Sequence, residues 1–323
     1  MTHSTPPRPD WSDFAQDYEA EILPILSAQE ARRARLHRWR WIARIGAIAL
    51  TAGIVALWVF VFPDETLLLI PTILALGAGL AGAQMVGGGF SEEINALIVG
   101  AIAARYRLTY DRAGAGLAPG DFRTRGVVAA YDRSNLEDAF TGEIDGLKAA
   151  LTEAHLEKRQ VYIDSRGRSR TRYVTVFQGL LIRFEVARSA AAAVHIRRDA
   201  GAVGNAIGGW FRETFSDDQR IRLEDPVFEK EFEVYSTDQV AARRGLTPRA
   251  LLAFTRFRDL APGRGDVQAS FDGPFFWLAI DSRTDAFEAG SISRSLTDPS
   301  RARTVVEEIA VLWDVAALLR ETG

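Results

Sequence analysis

Between Ile42 and Phe90 the chain carries only three formal charges, Arg44, Asp64 and Glu65. As one helix this run would be about 73 Å long at about 1.5 Å per residue. The hydrocarbon core of a bilayer is about 30 Å thick. One crossing cannot use that length, but two can. The sequence predicts spans over 42–62 and 67–90, joined by Pro63-Asp64-Glu65-Thr66. Burying Asp64 at a helix centre costs about 2.5–3.5 kcal/mol, and Pro63 opposes continuation of the first helix. Both place the turn in water. The alternative is a pair of buried core helices, but soluble helices of this length normally keep a polar face.

Basic residues orient the hairpin. Arg32, Arg33, Arg35, Arg38 and Arg40 precede the first span, with Arg44 at its start. The turn has none, and Arg105, Arg107 and Arg112 follow the second span. Positive charge stays on the cytoplasmic side, so both termini are expected there and turn 63–66 outside. Trp39, Trp41 and Trp58 suit interfacial positions. The first apolar run begins too late, and is too long, for a cleaved signal peptide.

Small residues crowd the second span, in "ALGAGLAGAQMVGGG" from Ala75 to Gly89. Gly79 with Ala83, or Ala78 with Gly82, forms a small face that permits close helix approach. Such faces pack the hairpin against itself or support a homo-oligomer. Gln84 is the strongly polar side chain within that span, and an interhelical hydrogen bond is its ordinary use.

The hairpin divides the chain into a cytosolic segment, 1–41, the transmembrane pair, 42–90, and a cytosolic domain, 91–323. Before the membrane, Phe14, Tyr18, Ile22 and Ile25 recur at helical spacing and form a stripe expected to dock on the soluble domain. Pro24 should kink or break that helix. "SEEINALIVGAIAARYRL" places Ile94, Leu97, Ile98, Ala101 and Ile102 on one face and extends the second span.

Beyond it, Asp145-Gly146 separates two apolar-bearing runs as a hairpin turn would, with a helix over 147–158 as the alternative. Gln178-Gly179 is read as the turn of a second hairpin within "RYVTVFQGLLIRFEVAR". Phe232–Tyr235 reads as a strand, Ser236 to Gln239 as a capping box, and Gly245 as a helix stop. Thr247 caps a further helix that begins with Pro248. "VQASF" and "PFFWLAI" join at Asp272-Gly273, with Pro274 pointing to an edge strand. A final helix from about Pro299 buries Val305, Ile309, Leu312, Trp313, Ala316 and Leu319. The fold class is α+β: an amino-terminal helix, a two-helix transmembrane hairpin, then a largely antiparallel α+β cytosolic domain.

Composition narrows the chemistry. There is no cysteine, so disulfides, thiolate nucleophiles and thiolate metal sites are excluded. His3, His37, His155 and His195 are far apart and make no spaced ligand pair. A net charge of −3 gives no reason to expect nucleic acid. "GAVGNAIGGWF", Gly201 to Phe211, lacks the GxGxxG or Walker spacing of a phosphate loop. No catalytic, cofactor-binding or metal-binding residue is assigned, and no cofactor is expected. His155 and His195 are assigned to packing or surface, and Asp145 and Asp272 to turns. Asp238, Arg243 and Arg244 are read as contacts around one short helix.

Several stretches resemble a bacterial membrane-protein family catalogued as domain of unknown function 3137. They are "EILPILSAQEARR", "DAFTGEIDG", "VFQGLLIRFEV" and above all "LEDPVFEKEFEVYSTDQVAARRGLTPRALLAF". The stretch 197–218 matches less well. The resemblance implies a cytosolic domain attached to the bacterial inner (cytoplasmic) membrane and brings no activity with it.

One positive site stands out. "SRGRSRTR" sets Arg166, Arg168, Arg170 and Arg172 at alternating positions, which share one face in a strand. The bland reading is a solvated face with acids nearby. The functional reading is contact with anionic lipid heads or an acidic protein surface. The expected function is a non-enzymatic binding or scaffold module at the membrane, with the lipid bilayer and a protein or anionic lipid as partners. The alternative is a membrane-anchored enzyme with a pocket built from dispersed residues.

Overall fold

The computed structural model describes residues 6–61, 69–186, 190, 192–198, 219–223, 225–257 and 266–322. The turn at 63–66 and the glycine segment 201–211 lie outside the described residues. So does all of 197–218 except Arg197 and Arg198, which end a strand. The chain forms two compact units. One is Trp11–Ala101 with Glu288–Thr304, and the other is Met1–Asp10, Ile102–Phe287 and Val305–Gly323.

The first unit is helical. Helix α1 (Trp11–Asp17) passes through a π-helical turn, Tyr18–Ile22, into α2 (Leu23–Val61). The break expected at Pro24 takes this form. A proline has no N–H to donate, and a wide turn just before it accommodates the loss. The π turn also corrects the predicted stripe. Phe14, Tyr18 and Ile22 are buried as expected, but the next buried residue is Leu26, and Ile25 is 48% exposed. Four-residue spacing persists because a π turn holds more residues than an α turn.

Helix α3 (Leu69–Met85) packs along α2. A Cβ on Gly79 would come within 2.9 Å of the Ala47 Cβ, so the small face serves close approach inside the hairpin. The helix does not run on to residue 90. It stops at Met85, and Gly87, at φ +82°, separates it from α4 (Gly88–Arg105). Within the same unit, Asn95 Oδ1 accepts from the Ala289 and Gly290 amides at 2.6 and 3.1 Å. Glu30 accepts from the Leu296 amide, and Arg33 donates to the Ile292 carbonyl.

The runs Trp11–Val61 and Ile70–Arg105 are long and apolar enough to cross a membrane. The most apolar stretch of the first has no buried residue, and that of the second is 6% buried. Those two apolar stretches are thus largely uncovered by the described residues, whereas Ile94, Ile98, Val99 and Ile102, later in the second run, are buried. Phe60 is 87% exposed, and Leu50, Leu57, Ile73 and Leu74 are likewise exposed.

The second unit is built on one sheet with the strand order β1-β2-β3-β4-β9-β8-β5-β7-β6. The strands are β1 (Thr109–Asp111), β2 (Arg133–Ile144), β3 (Leu147–Ile163), β4 (Ser169–Glu185), β5 (Val194–Arg198), β6 (Gln219–Ile221), β7 (Phe232–Ser236), β8 (Asp266–Asp272) and β9 (Phe275–Asp281). Every described pairing is antiparallel, so the α+β class with antiparallel pairing holds. Asp145 (φ +52°) and Gly146 (φ +81°) make the β2–β3 turn, and 147–158 is strand, not helix.

The second predicted turn is misplaced. Gln178-Gly179 lies inside the continuous β4, and the chain reverses at Asp164–Arg168 instead. Gly179 is there for space: a Cβ would fall 2.1 Å from the Ile280 carbonyl oxygen on β9. Pro274 likewise marks no edge. It sits with Gly273 in the loop, and β9 is an interior strand between β4 and β8.

One face of the sheet packs the short helix α5 (Pro119–Thr124) and the residues on either side of it: Leu117, Phe122, Val127 and Val128 meet Ala150, Leu156, Phe177, Leu181 and Trp277. The helix Ser300–Thr322 is buried along most of Val305–Leu319, including all six residues predicted for its apolar face, with Glu307 and Ala317 exposed. Two local signals resolve differently. The N-cap of Gln239–Gly245 is Asp238, which accepts from the Val240 and Ala241 amides, while the Ser236 hydroxyl donates to the Ala193 carbonyl. Asp is as good a cap as Ser, and here it is two residues closer to the helix. Thr247 caps Pro248–Phe257 as expected, accepting from the Ala250 amide.

Candidate functional site

Strands β3 and β4 run past their neighbours. The β2 ladder ends at the Arg133–Glu157 pair and the β9 ladder at Gly179–Asp281, yet β3 and β4 pair with each other out to Ile163–Ser169. Residues 158–174 are therefore a two-stranded ribbon. Residues 157–175 carry six basic side chains against two acidic ones, in a chain whose net charge is −3.

Register sorts the ribbon into two faces. Tyr162 opposes Arg170, and Gln160 opposes Arg172, on one. Val161 opposes Thr171, and Ile163 opposes Ser169, on the other. Val161, Tyr162 and Ile163 are 60%, 47% and 75% exposed. Lys158 shares the first face, and the Arg159–Tyr173 pair shares the second, so bases and an aromatic stand on both while Val161 and Ile163 are together on one.

Of the predicted site residues, Arg170 and Arg172 share a strand face as expected. Arg166 and Arg168 do not, because the chain reverses through them. Asp164 organises the tip. Its carboxylate accepts from the Arg166 and Arg168 amides and from the Nε of Arg168 and Arg170, at 2.9–3.3 Å. The Arg168 and Arg166 amides, followed by the Arg170 and Arg168 side chains, hold its carboxyl below the usual range. Arg172 donates to the Gln160 side chain and lies 5.6 Å from the Tyr162 ring. Exposed pairs of this kind contribute little to stability.

A second feature was not read from the sequence. A 360 Å³ cavity is lined by Val127, Val128, Val176, Phe177, Gln268 and Ala279, with Asp266 and Asp281 among its polar groups and Ser282 and Arg283 beside them. Asp266 and Asp281 are direct cross-strand partners on β8 and β9, so both carboxylates stand on one face of the sheet. Burial pushes the Asp266 carboxyl up, and nearby Asp281 adds to that. Burial also raises Asp281, against the Gln178 amide and Arg283, which favour its charged form. The pairing was available in the sequence. A loop at Gly273-Pro274 sets Asp266 against Asp281, whereas the predicted Asp272-Gly273 loop sets Asp266 against Ala279. A turn misplaced by one residue moves every pair by two.

Two other buried polar groups have structural roles. His195 is buried; its Nδ1 lies 3.1 Å from the Ser270 hydroxyl, and the Arg125 carbonyl also bonds the ring. Burial pushes its pKa down to about 4, which keeps it neutral. Glu153 is also buried, and accepts from the Ala286 amide at 2.8 Å. Burial pushes it up to about 9, opposed by that amide and reinforced by Asp138, Asp285 and Glu308. Glu308 in turn accepts from the Phe287 amide. Among the described residues no group of three or more His, Cys, Asp or Glu side chains is placed to hold a metal ion.

A family model described as a protein of unknown function, DUF3137, matches residues 175–320. The resemblance read from sequence holds over that segment. The DUF3137 stretch contains every cavity residue except Val127, Val128 and Ala129, and it begins just after the ribbon. No curated protein matches the chain. Among solved structures, the crystal structure of the mycobacterial trehalose monomycolate transport factor A, TtfA, is similar. The identity is 13%, with 71% of this chain and 96% of that one covered, at a TM-score of 0.34. No function is carried over from that overlap.

Proposed function

We propose that the protein is a membrane-anchored, non-enzymatic binding module whose β3–β4 ribbon contacts anionic lipid headgroups. The anchor is the α2–α3 pair, with a first span from residue 42 and a second that ends at Met85, short of the expected residue 90. Arginines flanking the spans orient both termini to the cytoplasmic side of the inner membrane and turn 63–66 to the other. The observation that carries the reading is the ribbon itself. It adds nothing to the core, yet it presents Val161, Tyr162 and Ile163 to solvent beside Arg168, Arg170 and Arg172. Basic residues near an anionic leaflet contribute about 1 kcal/mol each. Aliphatic and aromatic side chains gain by entering the headgroup region.

The chain lacks cysteine, so Ile163→Cys gives a single labelling site. The full-length variant would carry an environment-sensitive fluorophore there, in nanodiscs of neutral or phosphatidylglycerol-containing lipid. The proposal expects a blue-shifted, lipid-quenchable signal with the anionic lipid alone, lost when Arg168, Arg170 and Arg172 are all changed to Ser. A probe that stays in water on both lipids overturns it. Shielding seen only in native membranes would assign the tip to a protein partner instead, and would equally overturn the lipid reading.

A further inference from the structure

The cavity against β4, β8 and β9 has a different chemistry from the ribbon. Its walls are apolar: Val127 and Val128 from the segment after α5, Val176 and Phe177 from β4, and Ala279 from β9. Its polar groups converge from two neighbouring strands. At 360 Å³ it falls at the small end of the range for sites that enclose small molecules.

The unusual element is the cross-strand carboxylate pair. Like charges directly opposite each other destabilise a sheet, and desolvation raises that cost. The protein's own groups answer it only in part. Asp266 accepts from the amide of the next residue, Val267, at 3.0 Å. Asp281 accepts from the Gln178 amide at 3.3 Å and from the Arg283 amide, and Arg283 Nε stands 3.6 Å away on a side chain that is largely in solvent. Arg197 and Arg198 add favourable charge near Asp266. With all of these in place both carboxyls still sit above their usual range. Perturbed carboxyls that face a cavity mark candidate binding sites.

We propose that this cavity binds a small organic cation, a primary ammonium or a guanidinium on a short apolar body, held between the Asp266 and Asp281 carboxylates. Its N–H groups would donate to both carboxylates and to the Gln268 side-chain oxygen. Its carbon skeleton would lie on Val127, Val128, Val176 and Phe177. Such charge-assisted bonds are stronger than neutral ones, and the ligand would remove the repulsion the free protein carries. A divalent metal ion fits less well. Calcium takes six to eight oxygen ligands, and most of this lining is hydrocarbon.

The test is isothermal titration of the full chain in non-ionic detergent with butylammonium and butylguanidinium, using butanol and calcium as controls. The proposal expects saturable binding of at least one of the two cations, one per chain, with no butanol binding. Asp266→Asn and Asp281→Asn should each weaken it at least 10-fold. Without ligand both variants should melt no lower than the parent, because the substitution relieves like-charge repulsion. A purely structural carboxylate would instead lower the melting temperature. If an Asp variant fails to fold, Val176→Trp fills the cavity and leaves both carboxylates intact, and it must abolish binding. Absence of saturable binding, undiminished binding in the variants, or calcium binding in place of the amines overturns the proposal. The triple Arg168/Arg170/Arg172→Ser variant must keep full cation binding, which separates this site from the lipid contact.

Discussion

The inner and outer halves of the β3–β4 hairpin share two strands, one ladder and one backbone geometry, yet they live in different solvents. In the inner half, Leu151, Ile182 and Phe184 are fully buried, and Leu156 and Leu181 belong to the core under α5. In the outer half, Val161 and Ile163 have the same aliphatic character and stand in water. Strand pairing alone therefore does not bury a side chain. Burial requires a second layer, and among the described residues no pairing partner other than its own second strand flanks the ribbon. An apolar tip that contributes nothing to the core carries a cost in water, and the proposed lipid contact removes it.

The comparison can be broken most sharply by truncation. Phe184→Ala should cost about 3–5 kcal/mol in chemical denaturation of the full chain in detergent, as large-to-small changes in packed cores do. Ile163→Ala should stay within about 0.5 kcal/mol. Equal losses would mean that the tip is packed after all. Gly179→Ala probes the interior of β4, where the ladder to β9 begins. Its methyl would meet the Ile280 carbonyl, and overpacking of this kind costs on the order of 1–3 kcal/mol. A neutral outcome would mean that β4 and β9 can separate freely there.

Acid–base behaviour should also differ between the halves. Glu153, in the inner half, has its folded pKa raised to about 9 from an ordinary 4.5. The folded state therefore holds a proton that the unfolded chain has already released. Its contribution is complete below about pH 4.5 and is lost as pH rises towards 9. Glu153→Gln should flatten the fall in stability across that window, and an unchanged slope would dismiss the assignment. His195 on β5 works in the other direction. With its pKa pushed down to about 4 from 6.5, its neutral form stabilises the fold above pH 6.5, and that contribution is lost as pH falls through 4. His195→Gln should soften acid unfolding. The smallest effect belongs to the tip: replacing Arg170 with Ser should shift stability by less than about 0.5 kcal/mol. A larger loss would show that the Asp164 cluster is structural.

Much of this was legible in the sequence, for identifiable reasons. Asp145-Gly146 named its own turn because both residues tolerate positive φ. The apolar face of the last helix followed from its 3.6-residue period, and the Thr247-Pro248 helix start from capping chemistry. The errors share a cause as well. Gly179 and Pro274 looked like punctuation, but one makes room for a neighbouring carbonyl and the other follows Gly273 in the loop before an interior strand. Glycine serves close approach as readily as turns, and only the neighbouring strand reveals which. The Ile25 stripe failed because a π turn has no sequence signature of its own. The Asp266–Asp281 pair stayed hidden behind a one-residue error in loop placement. Glu153 was invisible because its partners, Ala286 and Glu308, are brought to it by distant parts of the chain.

The central claim is that two exposed apolar helices cross a bilayer and leave the ribbon on their arginine-rich side. Sided labelling tests it most directly. Asp64→Cys and Arg166→Cys, each the sole cysteine in its chain, would be exposed to a membrane-impermeant maleimide in sealed vesicles of known orientation. The account predicts that the reagent reaches one position from one side of the membrane and the other position only from the opposite side. Labelling of both positions from the same side would contradict it.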